Sequence, residues 1–423
     1  MNVTRRSFVK SAAVVAMPLI VPSTVFGDNA PSERITIGCI GMGGHGVGYN
    51  LRAFLTQADA QVVTVCDVYK NRSENAQKIV NGRYRSTGCK ALTDFREVIA
   101  DPSIDAIVIS TPDHWHVPMS IMALEAGKDV FSEKPTLTIA QGRELAGAVK
   151  SHDAVFQAGI EDRSVTQYHR MIELLRNGAI GNLQQVDLTL PAGTVFPLEE
   201  EIPVPEGLNY ELYVGPAEYI PYTRSRTGPQ QWRNTFNFSN GKLLDWGAHL
   251  VDTAQLAANA PEVCPVEIEA EGTIPENSMT TVPVTYDIKY RYSNGVKMHV
   301  KSGGNAIRLT GDKGWIGNKS WRAPLEASDP AILDATYTPE TSKHWPIPPS
   351  EHRNFLDCVK SRQSTTYTAE TLNHLSDTLH MGDIAIRLGR KLQWDAASEA
   401  FVDDDAANAM RSRESRNDWK MKG

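Results

Sequence analysis

The chain has 423 residues. A single hydrophobic core rarely supports a chain of this length, so two domains are expected. Hydrophobic residues make up 41% and charged residues 22% of the chain, which is ordinary for a soluble globular protein. With a formal net charge of −7 and no basic block, the composition argues against nucleic acid or an anionic lipid surface as a partner.

Residues 1–30 have the pattern of an export signal. Arg5 and Arg6 precede a weakly apolar run from Ala12 to Val21, and small and turn residues follow around Gly27. Paired arginines before a short apolar run are typical of a twin-arginine signal peptide. The alternatives are a basic tail and an uncleaved membrane anchor. We expect a periplasmic or otherwise exported protein that leaves the membrane after cleavage, because no later segment approaches the ~18 apolar residues that cross a bilayer.

The next segment carries a dinucleotide-binding fingerprint. An apolar strand from Ile35 to Ile40 runs into Gly41-Met42-Gly43-Gly44-His45-Gly46, and residues 47–55 are compatible with a helix. A second apolar strand ends at Asp67, 21 residues beyond Gly46. The glycines permit a tight turn and a close approach of pyrophosphate to the N-terminus of the helix, where unpaired N–H groups favour anions. We therefore assign cofactor contacts to Gly41, Met42, Gly43 and Gly46.

Asp67 is predicted to accept hydrogen bonds from the adenosine ribose of the cofactor. A carboxylate at this position repels a 2′-phosphate, which favours NAD over NADP. Lys70 and Arg72 follow closely and are able to hold such a phosphate, so NADP stays possible.

Strands and helices continue to alternate up to about residue 160. The strand from Asp105 to Ser110 opens into Thr111-Pro112-Asp113-His114-Trp115-His116, and the strand from Asp129 to Ser132 is followed by Glu133-Lys134-Pro135. This alternation predicts a parallel, doubly wound sheet, in which ligands bind at the carboxyl ends of the strands. The predicted cofactor contacts at these ends are Asp67, Thr111, Pro112, His114, Trp115, His116, Glu133 and Lys134.

Three aromatic residues of this loop have alternative interpretations. Trp115 either stacks near the cofactor or fills the core. One of His114 and His116 is expected to meet the nicotinamide ribose, and the other is then a packed core histidine.

Beyond residue 160 strands dominate. A helix from Val165 to Arg176 precedes strand-like segments at 183–190, 266–272, 284–292, 296–301, 307–310 and 315–316, and helices return at 351–360 and 369–388. Ser293-Asn294-Gly295 predicts a hairpin. The predicted fold class is α/β, with a Rossmann domain at 31–160. An α+β domain with a large, mostly antiparallel open sheet follows at 161–423, and its C-terminal helices and tail pack back.

In combination, these motifs resemble the Gfo/Idh/MocA oxidoreductases, which include glucose–fructose oxidoreductase and inositol dehydrogenase. The resemblance is carried by the glycine motif, the loop at 111–116, the segment Ala126-Gly127-Lys128-Asp129-Val130, Glu133-Lys134-Pro135 and the segment from Gly241 to Asp252. It extends to the C-terminal stretches 352–355 and 389–395. The resemblance implies NAD(P)-dependent hydride transfer on a sugar or polyol, a homodimer or homotetramer formed through the outer face of the sheet, and a frequently cis Lys134–Pro135 bond.

The proposed chemistry centres on Lys134 and on a helix that carries Asp245, His249 and Asp252 at i, i+4 and i+7, hence on one face. Removing a hydride from a secondary alcohol also releases a proton, and a histidine of near-neutral pKa is a suitable acceptor, so His249 is assigned as the general acid/base. Lys134 would stabilise the negative charge that develops on the oxygen. Asp245 would orient Lys134 or His249 and bind a neighbouring hydroxyl. In the resembling family, lysine, aspartate and histidine at these positions have such roles.

The substrate contacts predicted with these residues are Arg163 and Trp232, beside Lys134, Asp245 and His249. Arg163 could instead form a surface salt bridge. Asp245, His249 and above all Asp252 could form a structural network, or ligate a metal. We predict no metal, because no further His or Asp cluster completes such a site and the five cysteines have no zinc spacing.

Three functions compete for this pattern. The first is an oxidoreductase acting on a sugar or polyol with a tightly bound cofactor, since free NAD is scarce outside the cytoplasm. The second is an NAD-dependent glycoside hydrolase that works by transient C3 oxidation and elimination. The secreted branch of the resembling family is similar to such hydrolases, which favour valine where this chain has Lys134, so the lysine favours the dehydrogenase. The third, a non-catalytic nucleotide sensor, has no need of Lys134 with Asp245 and His249.

Overall fold

The computed structural model describes residues 33–257, 264–337, 343 and 347–416, so the predicted export signal lies outside the described residues. The first domain is a parallel sheet of six strands. They are β1 (Ile35–Ile40), β2 (Ala60–Cys66), β3 (Lys90–Leu92), β4 (Ala106–Ile109), β5 (Asp129–Glu133) and β6 (Phe156–Gly159). Their order is β3-β2-β1-β4-β5-β6, and every pair is parallel. The predicted Rossmann-like sheet is therefore confirmed.

Helices connect these strands in the order that the sequence predicts. They are α1 (Arg52–Leu55), α2 (Lys70–Tyr84), α3 (Phe95–Ala100), α4 (His116–Glu125) and α5 (Ile139–Ser151). The helix predicted after the glycine motif differs at its start, because Gly46–Leu51 is π-helical before α1 begins. Such π-helical turns occur frequently at functional sites. Asp94 caps α3 and Thr138 caps α5, each accepting a hydrogen bond from a backbone N–H of the first turn.

The second domain is built on a nine-stranded sheet. Its strands are β7 (Leu183–Leu190), β8 (Pro265–Thr273), β9 (Thr285–Tyr292), β10 (Lys297–Ser302), β11 (Ala306–Gly311), β12 (Gly314–Gly317), β13 (Glu326–Ala327), β14 (Leu392–Asp395) and β15 (Ala400–Phe401). The order is β13-β12-β11-β7-β10-β9-β8-β14-β15, with β7 and β10 parallel and the other described pairs antiparallel. The predicted mostly antiparallel sheet is confirmed, and Gly295 with φ 86° turns the predicted hairpin between β9 and β10.

Helices cover this sheet and join it to the first domain. They are α6 (Thr166–Arg176), α7 (Tyr210–Val214), α8 (Lys242–Ala257), α9 (Glu351–Ser361), α10 (Ala369–Leu388) and α11 (Asp405–Ala409). Helix α10 packs on β8, on α8 and on α5 of the first domain. Because α10 is buried along most of its length, one apolar layer runs through both domains and holds α8 over the first sheet. Among the described residues, none of these helices is long and apolar enough to cross a membrane.

The last described segment packs back onto the loop between β7 and α8. Arg413 is half-buried, donates to Oδ1 of Asn240 and lies 3.5 Å from the centre of the Phe236 ring. Arg416 donates to the carbonyl of Gly215 at 3.2 Å. These contacts add to the hydrogen bonds that already tie this loop to the first domain and to the second sheet.

Candidate active site

A cavity of about 700 Å³ extends from the glycine motif of the first domain to helix α8 of the second. It lies at the carboxyl ends of β1, β2, β4 and β5, where a doubly wound sheet places its ligands. The predicted site residues that line it are Gly41, Met42, Gly43, Gly46, Asp67, Thr111, Pro112, Trp115, His116, Glu133, Lys134, Trp232, Asp245 and His249. Segments distant in the chain therefore meet around one cavity.

The glycine motif forms an open backbone cradle. Gly41 has φ 89°, and a β-carbon there would lie 2.5 Å from the carbonyl oxygen of Ser110. A β-carbon on Gly46 would collide with the carbonyl oxygen of Gly41. Gly44, by contrast, has no atom within 4 Å of the place where a β-carbon would stand. The tight turn thus leaves free space in front of its N–H groups, as a bound pyrophosphate requires, and the residues present fit a dinucleotide.

Asp67 is the carboxylate at the end of β2. Its Oδ2 accepts a hydrogen bond from the Met42 N–H at 2.7 Å, and its Oδ1 accepts one from the Tyr69 N–H at 2.8 Å. Burial raises the pKa of Asp67, although these two bonds and Arg72 oppose that rise. Arg72 lines the same cavity and lies over the Tyr69 ring, whereas the Lys70 side chain is 69% exposed and pairs with Glu74. Of the two cations that could hold a 2′-phosphate, only Arg72 lines the cavity.

Lys134 and Asp245 form a buried ion pair across the domain boundary. Nζ of Lys134 donates to the backbone oxygen of Asp245 at 3.1 Å and to its Oδ1 at 3.3 Å. Oδ2 of Asp245 lies 3.4 Å from Nε of Arg233 and 3.3 Å from Nζ of Lys242. Burial disfavours the carboxylate, but these three cations hold the pKa of Asp245 far below its usual range. Asp245 therefore stays charged and orients Lys134, one of the two roles predicted for it.

His249 lies one helical turn beyond Asp245 with its imidazole against the cavity. Its Nδ1 is 3.6 Å from Oδ2 of Asp162 and 3.9 Å from Oε2 of Glu161. Burial, and then the positive charge of Lys134, lower the pKa of His249 to about 4. The prediction of a near-neutral pKa for His249 is thereby corrected. The position of His249 on its helix did not show that the imidazole is buried beside a lysine. At neutral pH the imidazole is uncharged and able to accept a proton.

The loop after β4 resolves the alternatives for its aromatic residues. His114 is fully buried, its Nε2 lies 2.8 Å from the carbonyl oxygen of Tyr213, and it does not line the cavity. The predicted cofactor contact of His114 is thus corrected to a core position. His116 lines the cavity, with its two ring nitrogens 2.9 Å from the carbonyl oxygens of Pro135 and Thr111. Trp115 also lines the cavity, while its indole N–H donates to the carbonyl of Leu212 at 3.0 Å.

Arg163 is not a substrate contact. Its side chain is 5% exposed and donates twice to Asp252, at 2.9 and 2.6 Å, and once to the carbonyl of Thr366. It also lies over the Tyr367 ring at 4.0 Å and does not line the cavity. The prediction for Arg163 is corrected because its guanidinium is bound by Asp252, by the carbonyl of Thr366 and by the Tyr367 ring, none of which lines the cavity. Asp252 accordingly belongs to a structural network, as its alternative interpretation held.

Several residues around the cavity were missed or left without a role. Glu161 follows β6 and lines the cavity. It lies in the same segment as Arg163, which was predicted to contact substrate, and the position of the segment at the carboxyl end of a strand indicated both residues equally. His45, inside the glycine motif, has its Nε2 2.9 Å from Oε1 of Glu133, and nothing in the local sequence indicated this pair. Tyr213 and Trp246 also line the cavity, and only tertiary packing brings them there. Within the described residues, no cluster of three His, Cys, Asp or Glu could hold a metal ion.

Comparisons with known proteins agree with this architecture. Residues 35–160 match the family model described as "Oxidoreductase family, NAD-binding Rossmann fold", and residues 196–421 match "Oxidoreductase family, C-terminal alpha/beta domain". An inositol 2-dehydrogenase of Acidothermus cellulolyticus is 33% identical over 155 residues, which are 36% of this chain and 44% of that protein. Glycosyl hydrolase family 109 protein 1 of Shewanella sp. (strain MR-4) is 28% identical over 167 residues, 34% of this chain and 36% of that protein. The matches thus span less than half of either relative.

A solved structure shares the fold over most of both chains. The WlbA dehydrogenase of Bordetella pertussis, in complex with NADH and UDP-GlcNAcA, superposes with a TM-score of 0.64 at 14% identity, covering 86% of this chain and 99% of that one. Because both family models match, the second of them over more than half of the chain, this protein belongs to the Gfo/Idh/MocA family of NAD-binding oxidoreductases.

Proposed function

We propose that the protein is an oxidoreductase that oxidises a secondary alcohol of a sugar, a glycoside or a polyol and transfers hydride from the alcohol carbon to NAD. The observation that carries the proposal is the meeting of Lys134, Asp245 and His249 at the end of a cavity that begins at the glycine cradle. A nucleotide sensor would have no use for a buried lysine held charged beside a neutral histidine. The names of the relatives, an inositol dehydrogenase and a UDP-sugar-bound dehydrogenase, support a substrate rich in hydroxyl groups.

The side chains divide the reaction between them. The nicotinamide, when bound, supplies the hydride acceptor. Lys134 donates a hydrogen bond to the substrate oxygen and stabilises the negative charge that develops on it. The neutral imidazole of His249 accepts the hydroxyl proton as the C–H electron pair leaves with its hydrogen as hydride. Asp245 keeps Lys134 charged and in place, and it offers an acceptor to a neighbouring hydroxyl.

The choice of NAD over NADP is tested at Asp67. Replacing Asp67 with serine keeps an acceptor but removes the charge that repels a 2′-phosphate, and Arg72 remains as a cation in the cavity. We expect the ratio of NADP to NAD dissociation constants, measured by fluorescence titration, to fall about tenfold or more, because removing a like-charge repulsion of ~1.4 kcal/mol changes a dissociation constant tenfold. Glu74→Gln, which neutralises an exposed acid on α2, is the control and leaves the ratio unchanged. An unchanged ratio in Asp67→Ser would contradict the assignment of NAD.

The pH dependence of the rate follows from the environment of His249. Because burial and Lys134 lower its pKa to about 4, the base stays unprotonated down to a lower pH than an ordinary histidine of pKa ~6.5. We expect kcat/KM for oxidation to be constant from pH 7 to about pH 5 and to fall only as the pH drops through about 4. His249→Gln should lower the plateau about 10²-fold or more. An acid limb centred near 6.5 would show that a different, more solvated base acts.

A direct assay separates this function from its main alternative. The bound nucleotide is first released and identified, and the protein is then incubated with reducing sugars, inositol and nitrophenyl glycosides. We expect a persistent rise in nicotinamide absorbance with at least one hydroxyl-bearing substrate. Release of nitrophenol without net reduction would favour the hydrolase, and neither signal with any substrate would contradict both.

The hydrolase alternative has one observation in its favour besides the name of a relative. Elimination and re-addition of water need a second acid/base near the first, and Glu161 lines the cavity with its Oε2 3.9 Å from Nδ1 of His249. Lys134 favours the dehydrogenase, because its charge stabilises an alkoxide directly. The nitrophenyl glycosides in the assay above decide between the two.

We also propose that the chain is exported by the twin-arginine pathway and keeps its nucleotide tightly bound. The sequence of residues 1–30 supports export, and a bound cofactor would have to be reoxidised in place, by a second substrate or by the same one. Cell fractionation with detection of nucleotide in the periplasmic protein tests this. The homodimer or homotetramer implied by the family stays a prediction.

A further inference from the structure

A buried carboxylate, that of Asp162, lies beside the imidazole of His249. Asp162 is 1% exposed and follows β6. The indole N–H of Trp321 donates to both of its oxygens, at 3.1 and 2.9 Å, and Nε and Nη2 of Arg322 donate to Oδ1 at 3.2 and 3.0 Å. The Arg322 guanidinium lies 3.9 Å from the centre of the Trp321 ring, so the two donors brace each other. Asp162 is therefore held in one position. Its Oδ1 accepts from both Trp321 and Arg322, whereas its Oδ2 accepts from Trp321 alone.

The imidazole that faces this carboxylate has an unexplained nitrogen. Nδ1 of His249 is buried and has no hydrogen-bond partner among the described residues. A buried polar atom without a partner calls for an explanation, and a hydrogen bond made in another state of the site is one such explanation. The acceptors beside Nδ1 are Oδ2 of Asp162 at 3.6 Å and Oε2 of Glu161 at 3.9 Å. The rings of Trp246 and Trp321 stand edge-on to the imidazole, with centroids 6.0 and 5.8 Å from its own.

We infer that Asp162 is a positioning residue for His249, accepting a hydrogen bond from Nδ1–H so that the lone pair of Nε2 is presented to the substrate hydroxyl. This inference rests on the proposed function only for its effect on rate, because the tautomer of His249 is a property of the protein alone. The separation of 3.6 Å is too long for a hydrogen bond. Catalytic hydrogen bonds are often long without substrate and shorten in the complex, so a small shift of the ring closes this one.

Asp162 suits this role better than Glu161 does. Four hydrogen bonds from Trp321 and Arg322 anchor Asp162, whereas the Glu161 side chain is 18% exposed and pairs with Arg322 at 3.4 Å. Glu161 lines the cavity and is free to meet substrate. Besides Glu161, the charges that act on His249 come from Lys134, Asp245 and Glu133. Glu133 ends β5, Lys134 follows it and Asp245 lies on the helix of His249 itself. Of the two carboxylates within 4 Å of Nδ1, Asp162 is the anchored one.

The tautomer can be read directly in protein carrying ¹⁵N-labelled histidine. Two-bond correlations between ring nitrogens and carbon-bound ring protons distinguish Nδ1–H from Nε2–H, and His249→Gln identifies the signal. We expect Nδ1–H in the wild type at pH 7. In Asp162→Asn the amide can donate to Nδ1, and we expect the tautomer to change to Nε2–H. Asp162→Glu, which keeps the carboxylate, should restore Nδ1–H at least in part.

The kinetic counterpart uses the same variants with bound nucleotide. Asp162→Asn should lower kcat about 10²-fold or more with KM within about twofold, because the proton acceptor is lost while substrate contacts remain. Its acid limb should shift to lower pH, since an anion that favours the imidazolium is gone. Asp129→Asn is the matched control, because Asp129 is also buried and paired with an arginine, Arg362, but begins β5 at the far end of the sheet. It should leave the tautomer and the acid limb unchanged.

The outcomes separate the inference from the proposed function. An Nε2–H tautomer in the wild type, or an unchanged tautomer in Asp162→Asn, overturns the inference whatever the activity. If no sugar or polyol is oxidised but the tautomer changes as expected, the proposed function fails and the Asp162–His249 pair stands.

Should Asp162→Asn not fold, Trp321→Phe removes the indole donor while keeping an aromatic ring. This variant should lower kcat severalfold by loosening Asp162, and full activity with an unaltered acid limb would count against the inference.

Discussion

Replacing Lys134 with methionine is expected to lower the rate of hydride transfer about 10³-fold. The change removes the cation that stabilises the oxygen of the substrate, a contribution of the size found for single donors at developing oxyanions. It also leaves His249 without the neighbouring charge that lowers its pKa, so the acid limb of the remaining activity should move to higher pH. Single-turnover reduction of the bound nucleotide, followed by its absorbance, measures both effects.

Lys242→Met is the matched control for this variant. Nζ of Lys242 also lies 3.3 Å from Oδ2 of Asp245, but its side chain does not line the cavity. Lys242→Met should therefore lower the rate of hydride transfer by less than about tenfold, because Lys242 affects the reaction only through its charge on Asp245. Equal losses in both variants would mean that Lys134 acts only by holding Asp245, and the assigned contact with the substrate oxygen would be wrong.

Replacing Arg163 with methionine is expected to lower the free energy of unfolding by about 3–5 kcal/mol, because Asp252 is left buried without its partner. Both side chains are at most 5% exposed, so water cannot compensate for the lost charge. Urea unfolding followed by fluorescence measures the change. The folded fraction should bind substrate with unaltered KM, since Arg163 does not line the cavity.

Two further variants test the cause of this loss. Arg163→Met combined with Asp252→Asn should be more stable than Arg163→Met alone, because the unpaired charge is gone. Arg291→Ala breaks an ion pair with Glu267 whose arginine is 50% exposed, and it should cost less than about 1 kcal/mol. A large rise in KM with little loss of stability in Arg163→Met would restore the substrate contact that the structure argues against.

Local patterns were sufficient for most of the fold. The alternation of apolar runs and helices predicted the strands and helices of the parallel sheet, and the turn residues at 293–295 predicted the hairpin of β9 and β10, because each element is specified by residues close together in the chain. The glycine motif and the carboxyl ends of the strands together predicted eleven of the fourteen predicted residues that line the cavity. The sequence could not predict that Gly46–Leu51 is π-helical, because these residues are equally compatible with an ordinary α-helix.

The errors share one cause, which is that a side chain near a site need not point into it. His114 and His116 are two residues apart after β4, yet one contacts the carbonyl of Tyr213 in the core and the other lines the cavity. Which of them does so depends on α7, nearly a hundred residues further along the chain. Arg163 and Glu161 are a second case, since they too are two residues apart after a strand. Arg163 binds the buried Asp252, whereas Glu161 lines the cavity.

By itself, the sequence predicted the two sheets and the glycine turn, and it put Lys134 at the end of a strand and Asp245 and His249 on one face of a helix, because spacing within a strand or helix fixes which residues share an end or a face. Only the tertiary structure decided how these groups are charged and partnered. The three cations around Asp245, the dry surroundings of His249 and the carboxylate of Asp162 come from segments that meet only after folding. Charge and burial act through space, and so no pattern along the chain could report them.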